Sequence, residues 1–369
     1  MRLKPLEKDF DKVYYPEKFV VPFTEIVHDR SVVEVLRGCI RGCRFCQAGF
    51  IYRPFREKTP DTICKQADDL CKNTGYEELS LSSLSTSDHS EIDEMLTKLL
   101  EVTEEKRVNM SLPSLRVDNF SDTLMEKIKR IRKSGLTFAP EEIMRTAEIA
   151  FSGGYFNVKL YFMMGLPTET DEDIAGIAEI ADRIIELFFQ NPNRPRGKMV
   201  QVSVSVATFV PKPFTPFEFE PQATEEEVIH KQEHLMNSIN PRNARKIKVS
   251  WHEFRISQLE GVLARGDRKL SGVIYAAWKN GSRFDSWSDR FKWECWERAF
   301  EECSIAPEFY ASRRRSYDEI MPWDHLNYLI DKSFLVREHK KALKAETTPN
   351  CREKCSGCGV NREVGRSCF

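Results

Sequence analysis

The sequence predicts an α/β fold built around a parallel sheet, and two observations carry this prediction. Short apolar runs rich in β-branched residues alternate with helical patterns through the first 240 residues, and such alternation is typical of parallel sheets with crossover helices. Several of the runs are apolar on both faces, as strands buried between helices should be. This order of elements suits a full or partial barrel and equally an open doubly wound sheet. In each of these folds the active site lies at the carboxyl ends of the strands.

Six segments have the composition of strands, and helical patterns separate them. The predicted strands span residues 32–36, 79–84, 108–112, 136–139, 158–164 and 200–209. The predicted helices span 61–73, 91–103, 121–133, 142–152, 171–189 and 224–238, and beyond Pro241 helices alone are predicted, over 256–265, 270–280, 290–303 and 331–345. We therefore expect an N-terminal extension (1–30), a strand–helix domain (31–240), a mainly helical C-terminal domain (241–346) and a cysteine-rich tail (347–369).

The composition describes a soluble globular protein. Hydrophobic residues make up 41% of the chain and charged residues 31%, which is enough apolar material for a sizeable core. No run of about eighteen or more apolar residues occurs and the first residues lack an apolar signal region, so we expect a cytoplasmic protein with no membrane segment. Residues 241–369 hold 25 Lys and Arg against 18 Asp and Glu, an excess that suits either an anionic partner such as RNA or solvated helix faces.

Cysteine placement is the most informative feature of the sequence. The chain has eleven cysteines, and disulfides are rare in a reducing compartment. Two groups share the spacing C-x3-C-x2-C, namely the first triplet (Cys39, Cys43, Cys46) and the second triplet (Cys351, Cys355, Cys358). Clustered thiols indicate metal or iron–sulfur ligands, whereas the scattered cysteines are interpreted as small core residues.

The first triplet follows a predicted strand, which places it at the carboxyl edge of the sheet. Three closely spaced thiolates can hold a 4Fe–4S cubane while its fourth iron stays open to an exogenous ligand, whereas a structural site is normally closed by a fourth protein ligand. Gly38 and Gly42 are expected to relieve crowding where the backbone approaches the cluster. A zinc site is the less favoured alternative, because zinc motifs usually pair two C-x2-C units and no second pair lies nearby in sequence.

With Phe45 directly before the last cysteine, this pattern and residues 30–240 as a whole resemble the radical S-adenosylmethionine (SAM) superfamily, whose signature is C-x3-C-x-aromatic-C after the first barrel strand. The resemblance implies a partial (βα)6 TIM-type barrel followed by a mainly helical C-terminal region. It also implies that SAM binds the open iron and that a flavodoxin or ferredoxin supplies one electron. The resulting 5′-deoxyadenosyl radical then removes a substrate hydrogen, and Phe45 borders the cofactor.

Two turns at strand ends extend the resemblance. Gly165–Glu169 resembles the turn after the fifth strand of radical methylthiotransferases and cobalamin-dependent relatives, which implies that Gly165 and Glu169 contact the cofactor.

Phe138–Glu141 resembles a Pro-Glu-Ala-Gly turn near the ribose of SAM, which implies a contact from Glu141. In relatives a further stretch separates this turn from the next helix. Here Glu141 is followed at once by the residues predicted to form that helix. Either a natural deletion has removed part of the wall around the cofactor, or a flexible segment is missing from this sequence. This interruption favours an alternative function, a non-catalytic iron–sulfur or metal-binding protein that has lost SAM cleavage.

Polar side chains after the second and third strands complete the predicted site. The stretch containing Ser83, Ser85 and Ser87 stands where relatives contact the methionine amino group, so the resemblance implies that these hydroxyls bind the cofactor. The same stretch also suits a helix N-cap. Ser114 and Arg116 follow the third strand, where Arg116 is the better candidate to reach a carboxylate or a phosphate.

Over nearly its whole length the chain resembles uncharacterised cobalamin-type radical SAM proteins. The matching segments are Tyr14–Lys18, Cys46–Gly49 with Tyr52–Pro54, Ser134–Pro140, Phe209–Pro216 and Ala264–Arg268. A cobalamin domain usually precedes the barrel in that group, and only 38 residues precede Cys39 here, so cobalamin is expected only if another chain supplies it. The relatives imply methylation or methylthiolation of a macromolecule, RNA or protein; rearrangement or oxidation of a small metabolite is the alternative.

The second triplet repeats the spacing of the first without a preceding strand, so a second SAM site is not expected. An auxiliary iron–sulfur cluster, a structural zinc site and a redox-active tail are the competing interpretations, and the iron–sulfur cluster is slightly favoured. Cys368 is available as a fourth ligand. Because residues 356–369 are mostly Gly and polar, we expect the tail to order only around a metal or a partner.

Overall fold

The computed structural model describes residues 2–3, 7, 9–24, 26–112, 140–195 and 197–364. Its strands are β1 (Arg2–Leu3), β2 (Ser31–Glu34), β3 (Leu36–Arg37), β4 (Arg56–Glu57), β5 (Glu78–Ser82), β6 (Asn109–Ser111), β7 (Asn157–Met164), β8 (Gln201–Thr208), β9 (Ile247–Trp251) and β10 (Leu326–Asn327). Its helices are α1 (Ala48–Ile51), α2 (Pro60–Thr74), α3 (Ile92–Lys106), α4 (Pro140–Ser152), α5 (Asp171–Gln190), α6 (Glu225–Ser238), α7 (Phe254–Arg265), α8 (Leu270–Lys279), α9 (Trp293–Glu302), α10 (Pro307–Ala311), α11 (Lys332–Ala342) and α12 (Val360–Val364). None of these described helices is both long and apolar enough to span a bilayer.

Two three-stranded parallel sheets form the centre of the described structure. One has the order β2-β5-β6 and the other β7-β8-β9. The register pairs Val33 with Leu81 in the first sheet and Leu160 with Val204 in the second. Helices α2 and α3 connect the strands of the first sheet, and α5 and α6 those of the second, which confirms the predicted α/β fold. The described strands do not close into a barrel, and the strand predicted at 136–139 and the helix predicted at 121–133 lie outside the described residues.

Strand β9 extends the second sheet beyond residue 240, where the sequence analysis ended the strand–helix domain. Within it, Val249 pairs with Val204 and Trp251 with Val206. Only Ile247 of this strand is buried, so the segment lacks the apolar run by which the other strands were recognised. The helices predicted after Pro241 are present as α7, α8, α9 and α11, each within a few residues of its predicted bounds.

Local capping signals fix the helices that follow the functional turns. A capping box starts α5 at Thr170 and Asp173, and another starts α6 at Thr224 and Glu227. In each box the two side chains accept backbone N–H groups that have no partner inside the helix. These caps set the point at which the chain turns from a strand end into a helix, so they also position the residues between the two.

Apolar packing joins the cysteine-rich tail to the segment that follows the first triplet. Phe50 of α1, Phe334 of α11 and the tail residues Cys358, Val360 and Val364 belong to one buried cluster. The rings of Phe50 and Phe334 are 6.4 Å apart. Part of the tail thus packs on the protein's own core through Cys358, Val360 and Val364, and its dependence on a metal or a partner stays a prediction.

Candidate functional site

The first triplet lies on a short irregular loop between β3 and α1. The backbone N–H of Cys46 donates to the carbonyl of Cys43 at 3.0 Å, and the N–H of Arg41 points at the sulfur of Cys39 at 3.4 Å. Burial, helped by Asp88 and the two neighbouring thiols, raises the pKa of Cys39 to about 11. A bound cation offsets this effect because the thiolate is the form that ligates metal.

Gly38 sets the path of the chain into this loop. Its φ is +91°, and a Cβ there would lie 2.8 Å from the carbonyl oxygen of Tyr52 and 2.9 Å from that of Pro54. A side chain at Gly42, in contrast, would meet nothing within 4 Å. Among the protein's own atoms, Gly42 therefore relieves no crowding, whereas Gly38 is required by the neighbouring backbone.

An ion pair ties the cysteine loop to the end of β5. Arg41 donates to both carboxylate oxygens of Asp88, with Nη2–Oδ1 at 2.6 Å and Nε–Oδ2 at 3.1 Å. The side chain of Asp88 is 1% exposed and that of Arg41 20%. Bidentate guanidinium–carboxylate pairs are strong and directional, so this contact holds the cysteine loop after β3 in a fixed relation to the turn that follows β5.

The serines after β5 differ in how their hydroxyls are used. Ser83 bonds with Thr86 at 2.7 Å, and Ser87 is buried in the 3-10 turn Thr86–Asp88. Ser85 is 2% exposed, and its hydroxyl has no hydrogen-bond partner among the described residues. Buried polar atoms are nearly always hydrogen-bonded, and a contact between the Ser85 hydroxyl and the cofactor stays a prediction.

The Gly165–Glu169 turn is closed by its own glutamate. The carboxylate of Glu169 accepts the backbone N–H groups of Gly165 at 2.8 Å and of Leu166 at 3.4 Å. It also pairs with Lys231 of α6 at 2.8 Å, and the side chain is only 6% exposed. Gly165 has a φ of +81°, as a tight turn after a strand requires. Glu169 thus shapes the turn, and its direct contact with a cofactor stays a prediction.

The remaining sequence candidates have different standings in the structure. The ring of Phe45 is 39% exposed, which leaves it accessible beside the triplet. Glu141 lies in the first turn of α4, and Ser114 and Arg116 lie outside the described residues. One hydroxyl was missed: Thr208 ends β8, is 7% exposed, and has no partner for its hydroxyl among the described residues. Its place at the carboxyl end of a predicted strand was the available signal.

The second triplet lies directly beside the first. The N–H of Cys351 donates to the carbonyl of Ile40, which is next to Cys39, at 3.1 Å. Cys358 is buried and Cys355 is exposed. Two ion pairs flank this contact, Arg44–Glu338 at 3.2 Å and Arg352–Glu57 at 3.3 Å. Two motifs about three hundred residues apart in sequence therefore share one face of the molecule.

Within the described part of the chain, no three His, Cys, Asp or Glu side chains converge on a point that could hold a single metal ion. The ligands of a cubane need not converge in this way, because each thiolate binds a different iron. The donor set of the first triplet fits such a cluster: three thiols on one loop, a backbone N–H aimed at one sulfur, and a buried hydroxyl without a partner nearby in the fold.

Comparison with known proteins finds a family model that matches the part of the chain holding the first triplet. Residues 33–139 match the family model described as the Radical SAM superfamily. The chain is 30% identical over 297 residues to the Uncharacterized protein MJ0966 of Methanocaldococcus jannaschii, a match that covers 73% of this chain and 62% of that protein. The chain thus spans less than two thirds of the length of this curated relative.

Two solved structures of the radical SAM methyltransferase TsrM from Kitasatospora setae are also similar to the chain. The one with cobalamin and a [4Fe-4S] cluster bound has a TM-score of 0.43 and 12% identity, over 74% of this chain and 61% of that one. The one with tryptophan and a SAM analogue has a TM-score of 0.42 and 9% identity, over 59% and 54%.

The two glycines of the cysteine loop make a matched pair for mutation. Gly38→Ala should lower the free energy of unfolding by about 1–3 kcal/mol, because a side chain there is both strained and crowded by backbone carbonyls. Gly42→Ala should change it by less than about 0.5 kcal/mol. Urea unfolding of both variants measures the difference, and iron content after anaerobic reconstitution should fall only in Gly38→Ala. Equal behaviour of the two variants would contradict this account of the loop.

Removing the charge of Asp88 should destabilise the loop far more than removing an exposed charge. Asp88→Asn leaves the largely buried guanidinium of Arg41 without its carboxylate, so we expect a loss of about 2–4 kcal/mol in unfolding free energy. Asp61→Asn is the control, since Asp61 is 85% exposed in its pair with Lys98 and such pairs contribute about 0–1 kcal/mol. Urea unfolding at neutral pH checks both; a loss for Asp88→Asn no larger than the control's would argue against the anchoring role.

Proposed function

We propose, on the basis of the match of residues 33–139 to the Radical SAM superfamily model, that this chain is an enzyme that cleaves SAM reductively at a 4Fe–4S cluster held by the first triplet. The observation that carries the proposal is the cysteine loop itself, with three thiols between β3 and α1 and an ion pair to the turn that follows strand β5 of a parallel sheet. A bound and reduced cluster supplies the electron that splits SAM into methionine and a 5′-deoxyadenosyl radical, which takes a hydrogen atom from a carbon of the substrate.

The chain's own residues bind and orient in this proposal. The thiolates of the first triplet hold three irons, and the Arg41–Asp88 pair keeps their loop against the end of β5. The hydroxyl of Ser85 gains a partner when the cofactor binds, and this gain favours the bound state because a buried unpaired hydroxyl is unfavourable. Glu169 fixes the turn that follows β7 of the second sheet. Burial of these groups excludes water from a reactive radical.

The anaerobically reconstituted protein is expected to form 5′-deoxyadenosine from SAM when a strong reductant is present. Replacement of the first triplet by alanine should abolish this product, which is measured by liquid chromatography with mass detection. Ser85→Ala should raise the SAM concentration for half-maximal rate about five- to tenfold, since one hydrogen bond of roughly 1 kcal/mol is lost. The same substitution should leave the cofactor-free protein as stable or more stable, because it removes an unpaired buried hydroxyl.

Ser238→Ala is the control for Ser85→Ala, because the hydroxyl of Ser238 bonds only within its helix, to the carbonyl of His234. No change in SAM dependence is expected for it. Product formation that survives loss of the first triplet would refute the proposed function. A cluster that forms normally but gives no 5′-deoxyadenosine would instead favour an iron–sulfur protein without SAM cleavage.

The reaction type proposed is methyl or methylthio transfer to a macromolecule, RNA or protein. Its support is the likeness of the Gly165–Glu169 turn to that of radical methylthiotransferases and cobalamin-dependent relatives, a turn that here is closed by Glu169. With SAM labelled at the methyl group and at C5′, the label from the methyl carbon should appear in RNA or protein from a cell extract. Label found in a small metabolite alone, or in methionine and 5′-deoxyadenosine alone, would count against group transfer to a macromolecule.

A further inference from the structure

The second triplet lies on a loop with a defined shape. Gly357 and Gly359 have φ angles of +68° and +105°, and a Cβ at Gly359 would lie 2.7–2.9 Å from the carboxylate atoms of Asp331. The N–H of Asp331 donates to the carbonyl of Cys358 at 3.0 Å. Arg337 donates to the carbonyl of Ser356 at 3.0 Å and to that of Gly357 at 3.2 Å. Two left-handed glycines and three backbone contacts thus bend this segment into a turn that presents its thiols.

A backbone hydrogen bond puts Cys351 of the second triplet next to the loop of the first triplet. Because Cys351 bonds to the residue after Cys39, standard bond lengths limit the Cα atoms of Cys39 and Cys351 to a separation of less than about 11 Å. Clusters held by the two triplets would therefore be near neighbours, joined by a route of a few covalent bonds and one hydrogen bond. Two redox clusters at such a separation could exchange electrons, whereas a zinc ion undergoes no redox change and could not.

A basic face borders the second triplet. Helix α11 presents Arg337, Lys340, Lys341 and Lys344 along an open groove of about 490 Å³, which Glu346 also lines. Lys340 and Lys344 are exposed, and Arg337 contacts the cysteine loop directly. A surface with this excess of positive charge attracts an acidic partner and speeds its association.

We propose that the second triplet holds an iron–sulfur cluster that relays single electrons from an acidic one-electron carrier, docked on the basic face of α11, to the site at the first triplet. In this step the reduced carrier, a flavodoxin or ferredoxin, loses one electron, and the cluster of the first triplet gains it. No bond is formed or broken and no proton is moved. The relay rests on the proposed function, because a SAM-cleaving site needs one low-potential electron per cleavage.

Iron content separates this site from the first one. The reconstituted protein is expected to hold about eight irons per chain, and alanine replacement of either triplet should leave about four, with matching sulfide. The variant that lacks the first triplet must keep a reducible cluster with its own EPR signal, whether or not SAM cleavage occurs in the intact protein. Cys303→Ala is the control and should lose no iron. Zinc in place of the second four irons, or no metal loss when the second triplet is removed, would overturn the proposal.

A milder variant protects the test against misfolding. Cys355 is exposed while Cys358 is packed in the core, so Cys355→Ser should leave the thermal unfolding midpoint of the cluster-free protein unchanged and still remove the second EPR signal. A second signal that persists unaltered in this variant would exclude Cys355 as a ligand and with it the proposed site.

Electron delivery tests the relay and the docking face together. Reduction of the first cluster by reduced flavodoxin, followed by stopped flow, is compared with reduction by dithionite, which needs no protein docking. The flavodoxin rate divided by the dithionite rate should fall at least about tenfold in Lys340→Glu/Lys344→Glu. In the parent protein the same ratio should fall when salt is added. Lys248→Glu/Lys279→Glu, at exposed positions elsewhere, should leave the ratio unchanged. Equal ratios in both charge-reversed proteins, or in Cys355→Ser and its parent, would overturn the relay.

Discussion

The ion pair between Arg41 and Asp88 is the contact on which the geometry of the first triplet most depends. The loop that carries the thiols has no regular secondary structure between β3 and α1, so its shape must come from outside contacts. A bidentate pair with a carboxylate that is 1% exposed is directional, and it is not easily replaced by water in so buried a place. It fastens the loop to the end of β5, where the unpaired hydroxyl of Ser85 is also held.

The C-terminal region supports the same loop from the other side. The Cys351–Ile40 hydrogen bond and the Arg44–Glu338 ion pair reach the loop itself, and Phe50, four residues after Cys46, packs in the core formed with α11 and the tail. A loop held on two sides loses much of the conformational freedom that its ligands would otherwise have to give up on binding a cluster. The C-terminal region is therefore part of the site's architecture. The Cys351–Ile40 hydrogen bond also joins the second triplet to the loop of the first.

Local sequence signals predicted the secondary-structure elements, and they failed where long-range packing decides. The parallel strands, their helices and the capped turn before α5 follow from apolar periodicity and from short motifs such as Thr170–Asp173. The sequence alone could not show that Glu169 closes its own turn, that Asp88 pairs with Arg41, or that the tail packs beside Ile40, because each depends on residues brought together only by folding. Strand β9 was missed for a different reason. Ile247 is its only buried residue, so the segment lacks the run of apolar residues that indicates a strand.

Mössbauer spectroscopy of the iron at the first triplet tests the central claim most directly. In protein enriched with iron-57, with the second triplet replaced by serine so that a single site remains, about one quarter of the iron should change its isomer shift when SAM is added, because three irons are held by thiolates and the fourth is open. Spectra that are identical with and without SAM, or a site that takes up zinc in place of iron, would contradict the account.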